Sequence, residues 1–340
     1  MKIAMIAPIV ERVPPAKYGG TERVVHTLTE ELVKRGHDMT LFASGDSVTN
    51  AKLVSVYPRA LREVRLQNEI VWQLLSVGAA YAREEEFDII HDHTGYIGLP
   101  AANMARTPVL LTYHGPFTLE VRRIFNTLRK PFVSTISNAQ AALAPTLHHA
   151  GTVHNGLNMR HYPFSNEHDG YLLFVGRISP EKGVHIAIQV AQELALPLVI
   201  AAKLEPSDRP YYRDYIEPFL SDQIRWIGEV DETERNRLMS RAMCFLHPVT
   251  WPEPFGLTLI EAMACGAPVV AFGRGSIPEI VQNRRTGFVV RTVDEMIDAV
   301  QNIGAIDRKR CRRHALVSFG AERMADGYEA IYEKILKKGL

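Results

Sequence analysis

Residues Trp251–Gly275 read WPEPFGLTLIEAMACGAPVVAFGRG. The preceding run AMCFLHPV, 242–249, has the composition of a buried strand, and APVVAF, 267–272, has it again. Between them, Pro252 and Pro254 hold an extended loop, because proline and the residue before it both resist the helical region. A helix is expected to begin near Phe255–Gly256 and to run to the Cys265–Gly266 turn. Strand, loop, helix, strand is the repeat of a parallel, doubly wound sheet. The loop and the helix each carry one acid, Glu253 and Glu261, eight positions apart.

The same alternation extends in both directions. KIAMIAP (2–8), MTLFAS (39–44), FDIIHDH (87–93), PVLLTYHG (108–115) and FVSTIS (132–137) read as strands of a first half. After the first, apolar Val24, Val25, Leu28, Leu32 and Val33 recur at helical spacing, and Gly36 ends that helix. The pattern pauses at Asn155–Gly170, NGLNMRHYPFSNEHDG, which has the composition of a hinge. A second series follows: YLLFVGR, LPLVIAAK, QIRWIGEV, AMCFLHPV, APVVAF and GFVV. Two Rossmann-like domains are therefore expected, 1–160 and 161–320, with carboxyl-end loops facing a cleft. The amphipathic segment AERMADGYEAIYEKIL, within 321–340, is assigned to a helix that returns to the first domain.

A chain of 340 residues is too long for one ordinary core, which agrees with two domains. A formal net charge of +1 supplies no field for nucleic acid. The three cysteines, Cys244, Cys265 and Cys311, have no metal-like spacing. With no secretory pattern at the start, they point to a reducing cytoplasm.

Several loops carry residues suited to an anion. Gly19 and Gly20, in PPAKYGGTERVV, stand between a strand end and a helix start, where backbone N–H groups can approach a phosphate. They do not form the G-x-G-x-x-G dinucleotide fingerprint. In FVGRISPEKGVHIAI, Arg177 ends a strand and Lys182 precedes Gly183 and a helix, a placement that suits a diphosphate. Glu261 lies among Leu259, Ile260 and Met263, about one and a half turns into its helix, and burying it unpaired is costly. Its partner is either a core arginine or a diol such as that of ribose.

Taken together, E-P-F-G-L-T-L-I-E-A-M-A-C-G-A-P-V-V-A, VGRISPEKG, TYHG, VHNGLN and YGGTERVV resemble, in order, the landmarks of the family 4 retaining glycosyltransferases of GT-B fold. The resemblance spans nearly the whole chain. It implies a nucleoside diphosphate sugar in the C-terminal domain and a hydroxyl acceptor (a saccharide, a lipid-linked glycan or a small molecule) in the N-terminal one. Arg177 and Lys182 would hold the diphosphate and Glu253 would face the sugar hydroxyls. Phe255, Gly256, Leu257 and Thr258 would offer backbone N–H groups, and Glu261 would hold the ribose. His114 of TYHG would sit over the donor sugar, and Gly20 would approach the phosphate. The activity implied is metal-independent hexosyl transfer, with UDP-glucose or a related UDP-hexose as donor and no cofactor. An epimerase or phosphorylase on the same fold, and a binding module without turnover, are the alternatives.

Two features allow a second reading. His91 and His93 of HDHTG lie near His114, but no carboxylate or cysteine pattern completes a metal set, and no Asp-x-Asp occurs. They read as strand-end packing or acceptor contacts. The basic segments TLEVRRIFNTLRKPF (118–132) and DRKRCRRH (307–314) read as helices with a wet face. The former could instead touch lipid at the inner face of the membrane.

Overall fold

The computed structural model describes residues 1–17, 19–64 and 66–338. The chain forms two compact units, Met1–Asn158 with Gly320–Leu340, and Met159–Phe319. The first contains β1 (Lys2–Ile6), β2 (Asp38–Phe42), β3 (Lys52–Val54), β4 (Ile89–Asp92), β5 (Val109–Thr112), β6 (Phe132–Thr135) and β7 (His149–Thr152). The second contains β8 (Leu172–Arg177), β9 (Leu198–Lys203), β10 (Ile224–Trp226), β11 (Cys244–His247), β12 (Val269–Phe272) and β13 (Gly287–Val290).

All pairings between these strands are parallel. The sheet orders are β3-β2-β1-β4-β5-β6-β7 and β10-β9-β8-β11-β12-β13. Each order reverses beside its first strand, between β1 and β4 and between β8 and β11, and open α/β sheets bind ligands at that reversal. The central strands are continuous apolar runs because both faces are covered: Ile3, Ala4, Met5 and Ile6 are fully buried, as are Phe245 and Leu246. The edge strands β3 and β7 were not expected from the sequence. They are partly exposed and carry at most two apolar residues, KLV and HAGT, so neither leaves an apolar run to recognise.

The final helix, Ala321–Lys338, belongs to the first unit. Tyr328 and Tyr332 on it are fully buried. Arg35, which caps the helix Gly20–Lys34, donates to Asp326 at 2.8 Å and also to Glu329, while His37 Nε2 meets Glu329 at 2.7 Å. Gly156 lets the backbone close against this segment, since a Cβ there would fall 2.5 Å from the Gly320 carbonyl oxygen.

The basic segments differ from each other. In 118–132 the helix Leu119–Thr127 buries Phe125 against Tyr113 and Phe117. Arg122, Arg129 and Lys130 donate to the carbonyls of Leu143, Thr146 and Ala105. In 307–314 the expectation of a merely wet face fails for two arginines. Arg308 is buried and donates to the carbonyls of Ser165, Ala242 and Ser240, and Arg312 reaches those of Tyr162, Ala264 and Arg160. Each planar guanidinium supplies several N–H donors in a fixed fork, which lets one arginine serve carbonyls from separate elements. Among the described residues no helix is long and apolar enough to cross a membrane.

Candidate functional site

The second unit assembles its charged groups where its sheet reverses. The loop after β8 and the loop after β11 lie on adjacent strands, and glycines let them close on each other. Gly183 has φ +73°, and a Cβ there would lie 2.1 Å from the Pro248 carbonyl oxygen. Thr250 N donates to the Glu181 carbonyl at 2.9 Å. This approach brings Lys182 to Glu253: Nζ donates to Oε2 at 2.7 Å. Trp251 Nε1 donates to the same oxygen at 2.9 Å, and the Lys182 ammonium lies 4.8 Å from the centre of the Trp251 ring. His247, at the end of β11, places Nε2 3.8 Å from that oxygen.

From the other side, Gly275, at φ +59°, would place a Cβ 2.2 Å from the Glu253 carbonyl oxygen. Ser276 N donates to that carbonyl at 2.9 Å, and Ser276 Oγ donates to the Phe255 carbonyl at 2.8 Å. Burial pushes the Glu253 carboxyl up, but the charge of Lys182 and the bonds from Lys182 and Trp251 outweigh it and hold it below its ordinary value. Burial takes His247 down to about 4, so its ring is neutral at pH 7.

Arg177 ends β8 as expected, and its guanidinium is engaged by acids of its own loops. It pairs with Glu181, and its Nε lies 3.5 Å from Asp208. The helix after Glu253 runs Leu257–Ala264, one to two residues later than expected. Gly256 has φ +88°, which is outside the helical region, so the helix cannot begin before Leu257. Glu261 is accordingly about one turn in. Of the two partners left open for it, the arginine is present: Arg235 donates to Glu261 Oε1 at 2.8 Å, with both side chains buried. Phe255 is buried edge-on against Phe319, whereas Gly256, Leu257 and Thr258 are partly exposed at the helix start.

In the first unit, Gly19 precedes the helix beginning at Gly20. At φ +148°, a Cβ on Gly19 would lie 2.7 Å from Pro15 Cβ and 3.2 Å from Glu22 Oε2. The carboxyl group of Glu22 thus lies beside this helix start. Burial pushes Glu22 up to about 7. Tyr18 of the same loop lies outside the described residues. His114 follows β5, and its Nε2 lies 2.9 Å from His93 Nδ1 with the rings stacked. His91 is fully buried between Tyr332 Oη, 2.5 Å from its Nδ1, and Thr112 Oγ1, 2.7 Å from its Nε2. Among the described residues no three His, Cys, Asp or Glu side chains converge as metal ligands.

Sequence reasoning passed over His247, Trp251, Arg235 and Glu22. Two of them carried a local signal: His247 ends the strand before the Glu253 loop, and Trp251 is two residues from Glu253. Arg235 carried none, because only packing sets the helix Glu232–Arg241 beside Glu261.

Two family models match the chain. Glycosyl transferases group 1 matches residues 158–316, and Glycosyltransferase Family 4 matches residues 18–161. The chain is 26% identical to a glycogen synthase of Mycobacterium tuberculosis, over 94% of this chain and 92% of that one. It is 29% identical to a phosphatidyl-myo-inositol mannosyltransferase of Propionibacterium freudenreichii, over 80% of this chain and 77% of the relative. In fold it is similar to Anabaena HepE, solved with UDP and glucose, with a TM-score of 0.76, 20% identity, and coverage of 98% of this chain and 100% of HepE.

Proposed function

The chain belongs to the group 1 glycosyltransferases of family 4, and from that premise we propose that it moves a hexose from a UDP-hexose, UDP-glucose first among them, to an acceptor hydroxyl, retaining the anomeric configuration and using no metal. One observation carries the reading: Lys182, Trp251 and Glu253 converge where the second sheet reverses. The preference for UDP-glucose draws on HepE, which was solved with UDP and glucose.

In this reading the diphosphate of the donor takes Lys182 as a ligand, with Arg177 and the free N–H groups at Leu257–Thr258 as further positive potential. Charge grows on the diphosphate as the glycosidic bond breaks, and groups already oriented towards it stabilise the transition state more than the ground state. A donor phosphate oxygen takes the acceptor proton on the same face. The Glu253 carboxylate takes the hydrogen bonds of Lys182 and Trp251 on Oε2, so Oε1 is the oxygen assigned to the sugar hydroxyls. Glu261, held by Arg235 through Oε1, is assigned to the ribose. His114 and Gly20, on the first unit, are assigned to the transferred sugar and the phosphate.

Calorimetry separates the two acids. Glu261→Gln should weaken UDP and UDP-glucose together, by about tenfold or more. Glu253→Gln should leave free UDP near wild type and depress turnover. Equal weakening of free UDP by both variants rejects the assignment. The anomer of the product, read by proton NMR during turnover, tests retention.

A further inference from the structure

We propose that His93 is a positioning residue that holds His114 as its Nδ1–H tautomer, so that His114 Nδ1 donates a hydrogen bond to an oxygen of the ligand. The proposal rests on the reading that places His114 at the donor sugar, and it deepens that reading by stating what His114 offers there.

The starting point is the contact between His93 Nδ1 and His114 Nε2, 2.9 Å apart. The rings are nearly parallel, at 24° with centroids 5.2 Å apart. Burial takes His114 down to about 4 and His93 well below its ordinary value, so both rings are neutral at pH 7. A neutral imidazole has one donor and one acceptor nitrogen. One of the two facing nitrogens therefore carries the shared hydrogen, and that choice fixes the far nitrogen of each ring.

The far nitrogen of His93 decides between the two arrangements. His93 is 3% exposed, its backbone N is tied to the Ile6 carbonyl at 2.9 Å, and its ring packs 4.1 Å from that of His91. Its Nε2 is buried without a hydrogen-bond partner among the described residues. Were the hydrogen on that Nε2, a donor would be orphaned in the core. Orphaned buried N–H groups are rarer than under-used acceptors. His93 therefore carries its hydrogen on Nδ1 and donates to His114 Nε2.

The rest is forced. His114 Nε2 is an acceptor, so its hydrogen is on Nδ1. That atom makes no hydrogen bond to any described residue, and His114 is the more exposed of the two residues. The group it can serve is an acceptor oxygen, a sugar hydroxyl or a phosphate oxygen. A proton-accepting role for His114 is excluded by the same geometry, because its only free nitrogen already carries hydrogen.

Long-range 1H–15N correlation spectra of the ligand-free, full-length protein read the tautomer directly, with His114 assigned by comparison with His114→Asn. The Nδ1–H pattern is expected for His114, and the Nε2–H pattern in the wild type overturns the proposal. His93→Asn places an amide N–H close to the lost Nδ1–H, whereas His93→Leu has no donor. With UDP-glucose, His93→Leu should lower kcat about tenfold, and His93→Asn should recover most of it. Equal loss in both folded variants overturns the positioning role. Because the tautomer is measured without ligand, inactivity towards UDP-glucose rejects the donor assignment and leaves the tautomer result standing.

Discussion

Lys182 and Glu253 form a 2.7 Å ion pair although 71 positions separate them in the chain. Glu253 is nearly buried, and Lys182 retains about a fifth of its side-chain exposure. Breaking such a pair by removing one member strands the other charge in a poor solvent. Lys182→Met should therefore cost stability, about 3 kcal/mol at most given the residual exposure. Adding Glu253→Gln should return much of that loss without restoring turnover. Denaturant unfolding of the two single variants and the double variant gives the coupling directly, and strict additivity would show that the pair is energetically idle.

Gly275 lets residues 273–276 lie against the Glu253 backbone. Gly275→Ala adds a Cβ 2.2 Å from the Glu253 carbonyl oxygen at positive φ. The variant should lose more than about 1 kcal/mol and most of its turnover together. Gly304→Ala is the control, because a Cβ there meets nothing within 4 Å. Its stability should stay within about 0.5 kcal/mol of wild type. A tolerant Gly275→Ala would mean the loop does not hold Glu253.

Glu22 predicts a pH dependence of known sign. Its carboxyl is raised from 4.5 to about 7 by burial, so the folded chain keeps a proton that the unfolded chain releases. The associated stability is complete below about pH 4.5 and is lost as pH rises to about 7. Glu22→Gln removes that loss. It should be more stable than wild type by up to about 3 kcal/mol at pH 8, and by under about 1 kcal/mol at pH 5. A difference that does not grow with pH rejects a buried, protonated Glu22.

Transfer from UDP-glucose should persist in excess EDTA, since the leaving diphosphate is assigned to Lys182, Arg177 and a helix N-terminus. Loss of turnover that manganese restores would overturn that assignment and place a cation among the diphosphate ligands.

Much of this protein was legible along the chain. The central strands of both sheets announce themselves as apolar runs, because a strand covered on both faces must be apolar throughout, and the edge strand β10 is legible beside them although Arg225 within it is exposed. The edge strands β3 and β7 escaped because they are partly exposed and carry at most two apolar residues. Arg177, Lys182 and Glu253 stand out because loops at strand ends leave local marks, prolines, glycines and charges at fixed offsets, and Glu261 stands out as an acid among apolar helix residues.

What the sequence alone determined is therefore the fold class and the positions of charged residues along the strand, loop and helix repeat. Tertiary structure decided their partners. Lys182 meets Glu253 rather than open solvent, Glu261 meets Arg235, Glu22 stands at the helix start suited to an anion, and His93 sets what His114 presents. The physical reason is one of range. Periodicity and turn chemistry act between neighbours a few positions apart, so they can be read in order along the chain. The partner and charge state of a buried polar group depend on residues brought to it by the packing of distant elements, and those distances exist only once the sheets have formed.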